Sequence, residues 1–382
     1  MAETKPIPPA ECFPIMAWDW PPNSPAVLEE MKACGLTMAG FVPPEGLDAC
    51  HQAGLKAIVY DPRVWQYDWK NVDGAVARRN VESLVRQVQG HPALAGYYLR
   101  DEPSADMFDG LAAVASELRR LDPQRWAYVN LFPNCASREQ LGTETYEEHL
   151  ERFIAVCRPT RLSYDNYWLM LDDPRQHAFY WRNLEQVRAA SQRHGLPFWN
   201  IVLSVASILY REASEADLRL QAYSTLAYGA RGLCYFTYFA PKIGNYRMAP
   251  VDQFGHRTST WEALRRVNLQ VQALSPTMLR LRSTGVYHLG DVPEGCAGPA
   301  GESLLSGAGE APLLVGEFRH DDGATYVMLV NRDLRHSTGL WPQWRKEPAQ
   351  VQIVSSYTGQ LVPFSGEQTW LAPGQGMLLR LE

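Results

Sequence analysis

The chain has 382 residues, 46% hydrophobic and 20% charged, which suits a globular barrel of roughly 250 residues plus an accessory unit of roughly 100. Its formal net charge of −6 argues against nucleic acid or an anionic membrane as main partner, and no apolar run approaches the ~20 residues that span a bilayer. Residues 1–11 are polar and proline-rich with no hydrophobic stretch, so no signal peptide is visible; the expectation is a cytoplasmic protein, or a periplasmic or secreted one whose signal has been removed.

In chain order, apolar strand-like runs alternate with helical periodicity. Strands are predicted at 13–19, 36–42, 55–60, 93–99, 126–131, 160–165, 197–204 and 231–238. Helices are predicted at 24–34, 44–53, 75–89, 105–120, 146–157, 176–194, 214–229 and 258–280, with an irregular stretch at 132–145. Ser24-Pro25 reads as an N-cap followed by proline at the first helical position, and Ser214 with Asp217 as a capping box. Gly35, Gly54 and Gly195 sit where a left-handed cap wants glycine. Eight strand–helix units are the count of a (β/α)₈ barrel. A doubly wound sheet would alternate too, but no glycine-rich phosphate-binding turn follows any strand.

After residue 282 the helical periodicity stops. Glycine and proline rise through 289–312, and short alternating runs follow at 313–318, 325–331, 350–357 and 376–381. The predicted fold class is therefore α/β: a (β/α)₈ TIM barrel over 1–281, then a small antiparallel β-sandwich over 282–382.

The seven cysteines (Cys12, Cys34, Cys50, Cys135, Cys157, Cys234, Cys296) are odd in number, scattered and never in a C-x-x-C pair. That disfavours a zinc site or a disulfide framework and fits reduced, mostly buried thiols. His51, His149, His177 and His194 make no H-x-x-x-H pair, so neither a metal nor an organic cofactor is predicted.

A barrel of this kind carries its chemistry at the C-terminal ends of its strands. The candidates there are Trp18, Asp19, Asp61, Arg100, Asp101, Glu102, Asn130, Tyr164, Asp165, Tyr167, Trp199, Asn200, Tyr235 and Tyr238. The 12 Trp, 18 Tyr and 12 Phe also gather near strand ends, among them Trp20, Tyr60, Trp65 and Phe236. Flat aromatic faces suit the C–H face of a sugar ring, although any large core also uses aromatics. The sharpest signal is Gly96-Tyr97-Tyr98-Leu99-Arg100-Asp101-Glu102-Pro103-Ser104. An apolar strand stops at three charged residues, Pro103 keeps Glu102 out of the helical conformation, and Ser104 can cap the next helix. The structural alternative is an Arg100–Asp101 ion pair with Glu102 solvated.

This stretch, together with Ser163-Tyr164-Asp165-Asn166-Tyr167 and Ala227-Tyr228-Gly229-Ala230-Arg231-Gly232-Leu233-x-Tyr235-Phe236-Thr237-Tyr238, resembles a bacterial branch of the clan A barrel glycoside hydrolases, which include the family 42 β-galactosidases. The resemblance covers about residues 13–285. It implies a carbohydrate substrate, most simply a β-linked galactoside or glucoside, and a catalytic acid/base at the end of the fourth strand, which falls on Glu102. The clan also implies a nucleophilic glutamate on the seventh strand, but 197–204 contains no acid, and Glu212 lies eight residues further on. Three substitutes stay open: Asp165 as nucleophile or base; a substrate-assisted hexosaminidase in which Asp101 orients an N-acetyl group; or Asp19 or Asp61 as base of an inverting enzyme. A non-catalytic sugar-binding barrel, and a lyase using Tyr164 or Tyr167 as base, are the readings from other classes.

Overall fold

The computed structural model describes residues 13–364 and 369–382; the N-terminal stretch behind the signal-peptide expectation, and Cys12, lie outside them. Eight parallel strands make one sheet: β1 (Ile15–Ala17), β2 (Met38–Val42), β3 (Lys56–Val59), β4 (Leu94–Asp101), β5 (Trp126–Asn130), β6 (Leu162–Asp165), β7 (Phe198–Leu203) and β8 (Leu233–Phe236). Each pairs with its sequence neighbour from β1 to β5 and from β6 to β8, and β8 returns to β1. Between β5 and β6 the described residues make one isolated parallel bridge, Leu131 with Tyr164, where the Leu131 N–H donates to the Ser163 carbonyl at 2.8 Å. That bridge closes the predicted (β/α)₈ barrel.

The surrounding helices are α1 (Pro25–Ala33), α2 (Leu47–Gln52), α3 (Pro62–Trp65), α4 (Gly74–Val88), α5 (Phe108–Leu121), α6 (Arg138–Leu141), α7 (Tyr146–Cys157), α8 (His177–His194), α9 (Glu215–Ala227) and α10 (Ser259–Met278). The single turns α3 and α6 have no counterpart in the sequence reading. Ser214 and Asp217 form both halves of the capping box. Ser24 holds the N-cap position of α1, but its side chain makes no capping bond. No helix among the described residues is long and apolar enough to cross a membrane.

Side chains of alternate strand residues go to opposite sides of the wall. Met16, Met38, Ile58, Tyr98, Tyr128, Trp199, Ile201 and Cys234 fill the barrel, while Ile15, Val59, Tyr97, Leu99, Tyr164, Val202, Leu233 and Tyr235 pack outward against the helices. Arg161 closes the floor, its guanidinium 3.6 Å from the Trp126 ring centroid and 5.2 Å from that of Trp199, with burial pulling it down to about 9.

The C-terminal part is a sandwich. Its main sheet runs in the order β16 (Leu361–Pro363), β15 (Val351–Val354), β18 (Gly376–Leu381), β12 (Thr325–Asn331), β11 (Leu313–His320), β9 (Leu281–Leu289). Two ribbons, β10 (Leu305–Gly307) with β14 (Gln343–Trp344) and β13 (Thr338–Gly339) with β17 (Trp370–Leu371), supply the second layer. Tyr287, Val315, Val327, Leu329 and Leu379 face those ribbons. Leu314, Phe318, Tyr326, Met328, Val330 and Leu378 face the other way and share one core with the barrel helices. At this seam a Cβ on Gly316 would stand 2.2 Å from the Ala227 carbonyl oxygen, so only glycine lets β11 lie on the end of α9. Of the described cysteines, Cys34, Cys50, Cys157 and Cys234 are buried, Cys135 and Cys296 are partly exposed, and all six are unpaired.

Candidate active site

β4 carries apolar residues to Leu99 and then delivers Arg100, Asp101 and, one step past its end, Glu102 at the barrel mouth. Glu102 has φ +44, a left-handed backbone that is uncommon for a residue with a side chain, and its N–H donates to the Asn130 carbonyl at 2.8 Å. Pro103 follows, so the right-handed helical region is disfavoured at 102 as expected. Ser104 does not cap the next helix: its hydroxyl bonds the Asp106 carboxylate instead.

A side-chain network fixes the acids. The Asn130 Nδ2 donates to Asp165 Oδ1 at 2.8 Å and to Asp101 Oδ1 at 3.1 Å, so one amide ties β4, β5 and β6 together. Its Oδ1 accepts from the Ser163 hydroxyl at 3.1 Å, and Ser163 in turn lies 2.9 Å from the Tyr128 hydroxyl. Burial, reinforced by the neighbouring Asp101, pushes Glu102 up to about 7. Asp165 is raised well above the usual carboxylate range by burial, then by Glu102 and Asp101, with Asn130 acting against them. Asp101 is also raised by burial, while Asn130 and Arg100 hold it back. Burial and the mutual repulsion of the three carboxyls both favour their protonated forms, so the cluster holds protons to higher pH than free carboxylates do.

Aromatic walls stand on either side of the acids. On the β1–β3 side Trp20, Tyr60 and Trp65 pack together, Tyr60 and Trp65 stacked with centroids 5.0 Å apart and Trp20 edge-on to Tyr60 at 5.6 Å. On the β6–β8 side Tyr167 contacts Tyr210 at 5.7 Å and Phe236 at 5.5 Å, and Phe236 contacts Tyr246 at 6.3 Å. Tyr210 and Tyr246 come from the loops after β7 and β8. They and Cys135, in the loop after β5, were not among the sequence candidates, because loop residues carry no periodic signal.

The structure therefore brings Asp101, Glu102, Asn130, Asp165 and Tyr167 together, leaves Arg100 beside Asp101, and engages the other candidates elsewhere. Trp18 is 5% exposed and lies under the mouth against Phe41, Tyr98 and Tyr128. Asp19 accepts from the backbone N–H groups of Tyr238 (2.5 Å) and Phe239 (3.1 Å), joining the ends of β1 and β8, and burial pushes it up to about 8. Asp61 caps α3 and has both oxygens engaged by Arg63 at 2.8 Å. Burial opposes its charge, but those bonds hold Asp61 below the usual range, so it is a scaffold ion pair rather than a free base. Arg100 is half-buried with its Nε unpartnered, and Asp101 takes its hydrogen bond from Asn130 rather than from Arg100.

Five further candidates lie away from the mouth, four turned outward and Trp199 at the floor. On β6 the inward pair is Ser163 and Asp165, which turns Tyr164 outward, where its hydroxyl is buried without a hydrogen-bond partner. On β7 Trp199 and Ile201 are inward; Asn200 points to α9 and donates to the Thr225 hydroxyl at 2.9 Å, and Trp199 belongs to the floor beside Arg161. Tyr235 donates to Asn268 on α10 at 2.9 Å, and the Tyr238 hydroxyl accepts from the Trp261 indole at 2.8 Å. These are corrections to the sequence reading. Glu212 is paired at the exposed rim with Arg247 at 3.0 Å.

No family model and no curated protein matches the chain. Solved structures do match in fold. A catalytic mutant of a family 42 β-galactosidase from G. stearothermophilus aligns over 97% of this chain and 98% of its own, with a TM-score of 0.62 and 9% identity. The cold-adapted β-galactosidase from Rahnella sp. R3 aligns over 98% and 99%, with a TM-score of 0.59 and 10% identity. A family 5 glycoside hydrolase from Bacteroides vulgatus aligns over 97% and 88%, with a TM-score of 0.59 and 12% identity. The β-galactosidase from Marinomonas ef1 aligns over 71% of this chain but only 62% of its own length, with a TM-score of 0.52 and 12% identity. At such identities the likeness is one of architecture: a (β/α)₈ barrel with an appended β-sandwich.

Proposed function

We propose that the chain is a glycoside hydrolase in which Glu102 is the general acid and Asp165 the second carboxylate. The observation that carries this is a carboxyl group raised to about 7 next to a second acid oriented by Asn130, at the mouth of a barrel between two aromatic walls. Glu102 and Asp165 compete for protons, and the reactive form is the one in which Glu102 holds the proton that a departing glycosidic oxygen needs while Asp165 is ionised. As the bond from the anomeric carbon to that oxygen breaks, Glu102 gives up its proton, and Asp165 acts as nucleophile at that carbon or as base for the attacking water. The aromatic walls offer C–H/π stacking faces to the sugar. The fold likeness to β-galactosidases supports a β-linked galactoside or glucoside as the first class to assay.

A panel of chromogenic glycosides tests the activity, and NMR of the first-formed product anomer tests the role of Asp165. Retention assigns it as nucleophile and inversion as base. Glu102→Gln with wild-type turnover would sink the reading, as would sugar binding without hydrolysis of any panel member. One observation favours a second reading: Asp101 is adjacent to the acid and held by the same Asn130 amide, and it would serve as the orienting carboxylate in substrate assistance. That version requires activity confined to 2-acetamido sugars.

A further inference from the structure

Away from the mouth, at the seam between the barrel and the sandwich, three metal-ligating side chains from distant parts of the sequence meet. Glu185 is on α8, His288 near the end of β9, and Cys296 in the loop that follows. One oxygen, one ring nitrogen and the thiol sulfur all lie within 4.8 Å of one another. Tyr228, which follows α9, reaches the same place, its hydroxyl 2.9 Å from Glu185 Oε1 and 3.2 Å from His288 Nε2.

We infer that Glu185, His288 and Cys296 bind one divalent ion of the zinc class, with the Tyr228 hydroxyl or a water as fourth ligand. The donor set is right for such an ion: one carboxylate, one imidazole and one thiolate are the three ligand types that zinc takes in four-coordinate sites. Charge is right as well. Glu185 and a Cys296 thiolate together neutralise a doubly charged ion, which suits a seam where His288 is fully buried and the other two ligands are half-buried.

His288 is fully buried and its Nδ1 has no hydrogen-bond partner, so the ring is free to turn a lone pair to an ion. Binding displaces the Cys296 thiol proton to solvent as the metal–sulfur bond forms. Bonds of about 2.0–2.3 Å to a tetrahedral ion put ligand atoms roughly 3.3–3.8 Å apart, so the site closes by side-chain movements of about 1 Å.

The ion would add a cross-link to a segment without regular structure. Between Leu289 and Leu305 the chain has no strand or helix, and the loop is held by hydrogen bonds from the His288 N–H to the Ala297 carbonyl (2.8 Å), from the Arg332 guanidinium to the Asp291 carbonyl and from the Leu304 N–H to Glu317 (2.7 Å), with an exposed Arg182–Glu294 ion pair. The site would thus pin this loop and β9 onto α8. Sequence spacing could not reveal it, because the ligands at 185, 288 and 296 form no local motif.

The test does not depend on any hydrolase activity. Full-length protein, purified without chelator from zinc-supplemented culture, is analysed by mass spectrometry for metal, then stripped and titrated with Co²⁺ and Zn²⁺. The expected result is about one equivalent of zinc per chain, a thiolate-to-cobalt charge-transfer band, and a Tm that rises by ~3 °C or more with Zn²⁺. Cys296→Ser removes the band, and Cys135→Ser, at the barrel mouth, keeps it. Should Cys296→Ser fail to fold, the titration of stripped wild type decides alone. Absence of bound zinc, of the band and of any Tm shift in that titration overturns the inference and leaves a Tyr228–His288–Glu185 hydrogen-bond network.

Discussion

Glu102 is costly to keep in its charged form, and that cost gives its role a signature separable from activity. Its folded pKa is raised from 4.5 to about 7, so between those values the folded chain binds more protons than the unfolded one. The stabilising contribution is complete below about pH 4.5 and is lost as pH rises through about 7. Glu102→Gln is therefore expected to melt higher than wild type at pH 8, by a difference that shrinks toward pH 5, while turnover falls by about 10²–10⁴-fold. Thermal melts at both pH values, paired with kinetics, check this; equal shifts at both would remove the electrostatic account. In wild type, kcat/KM should fall as pH rises through about 7, when the acid loses its proton. Asn130→Ala acts on the other limb. Asn130 holds Asp165 and Asp101 down, so its loss should raise both, move the acidic limb of the pH–rate profile upward, and cost about 1–3 kcal/mol. An unmoved acidic limb would mean that Asp165 is not the titrating second carboxylate.

The strands and helices were legible because eight apolar runs alternate with helical periodicity, yet which face each strand residue presents was not. Leu162-Ser163-Tyr164-Asp165 does alternate, with Ser163 and Asp165 on one face, but in a parallel barrel both faces are buried, so the alternation alone does not say that Asp165 looks inward and Tyr164 outward. Asn200, Tyr235 and Tyr238 entered the candidate list for the same reason and turn out to be hydrogen-bond anchors for the helices. Tyr235→Phe should thus cost about 1 kcal/mol of stability through its lost bond to Asn268 and leave kcat/KM unchanged. A kinetic defect without destabilisation would put that hydroxyl back in the site. Glu102 was legible because a strand ending in Arg-Asp-Glu-Pro is chemically abrupt. Tyr210, Tyr246 and Cys135 were not, since only the folded paths of their loops bring them to the mouth. In the sandwich β10, β13, β14 and β17 have two or three residues each, too short for a two-residue period to register, and β9 is interrupted by Arg282, Ser283, Thr284 and Gly285.

At the scale of the whole chain, barrel and sandwich share a hydrophobic core, with Phe318, Met328 and Leu378 in one cluster with Tyr223 and Ala227 of α9. We expect the two parts to unfold in one calorimetric transition, and residues 1–281 expressed alone to be insoluble or loosely packed, because truncation bares that face. Gly316→Val, which drives a side chain into the Ala227 carbonyl, should lower Tm substantially in the intact chain. Two resolved transitions, the first at unchanged temperature in the variant, would argue for independent units. The barrel wall is thin at two seams. β1 and β2 pair at Met16 and Met38, whereas β5 and β6 have the isolated Leu131–Tyr164 bridge, where the side-chain rung from Asn130 to Asp165 spans the same gap. Local opening of the wall should start there, exposing the Leu131 amide to hydrogen exchange before those of β7 and β8. Each such opening would carry Asp165 away from Glu102, so the breathing of one seam would set how often the two acids are in register.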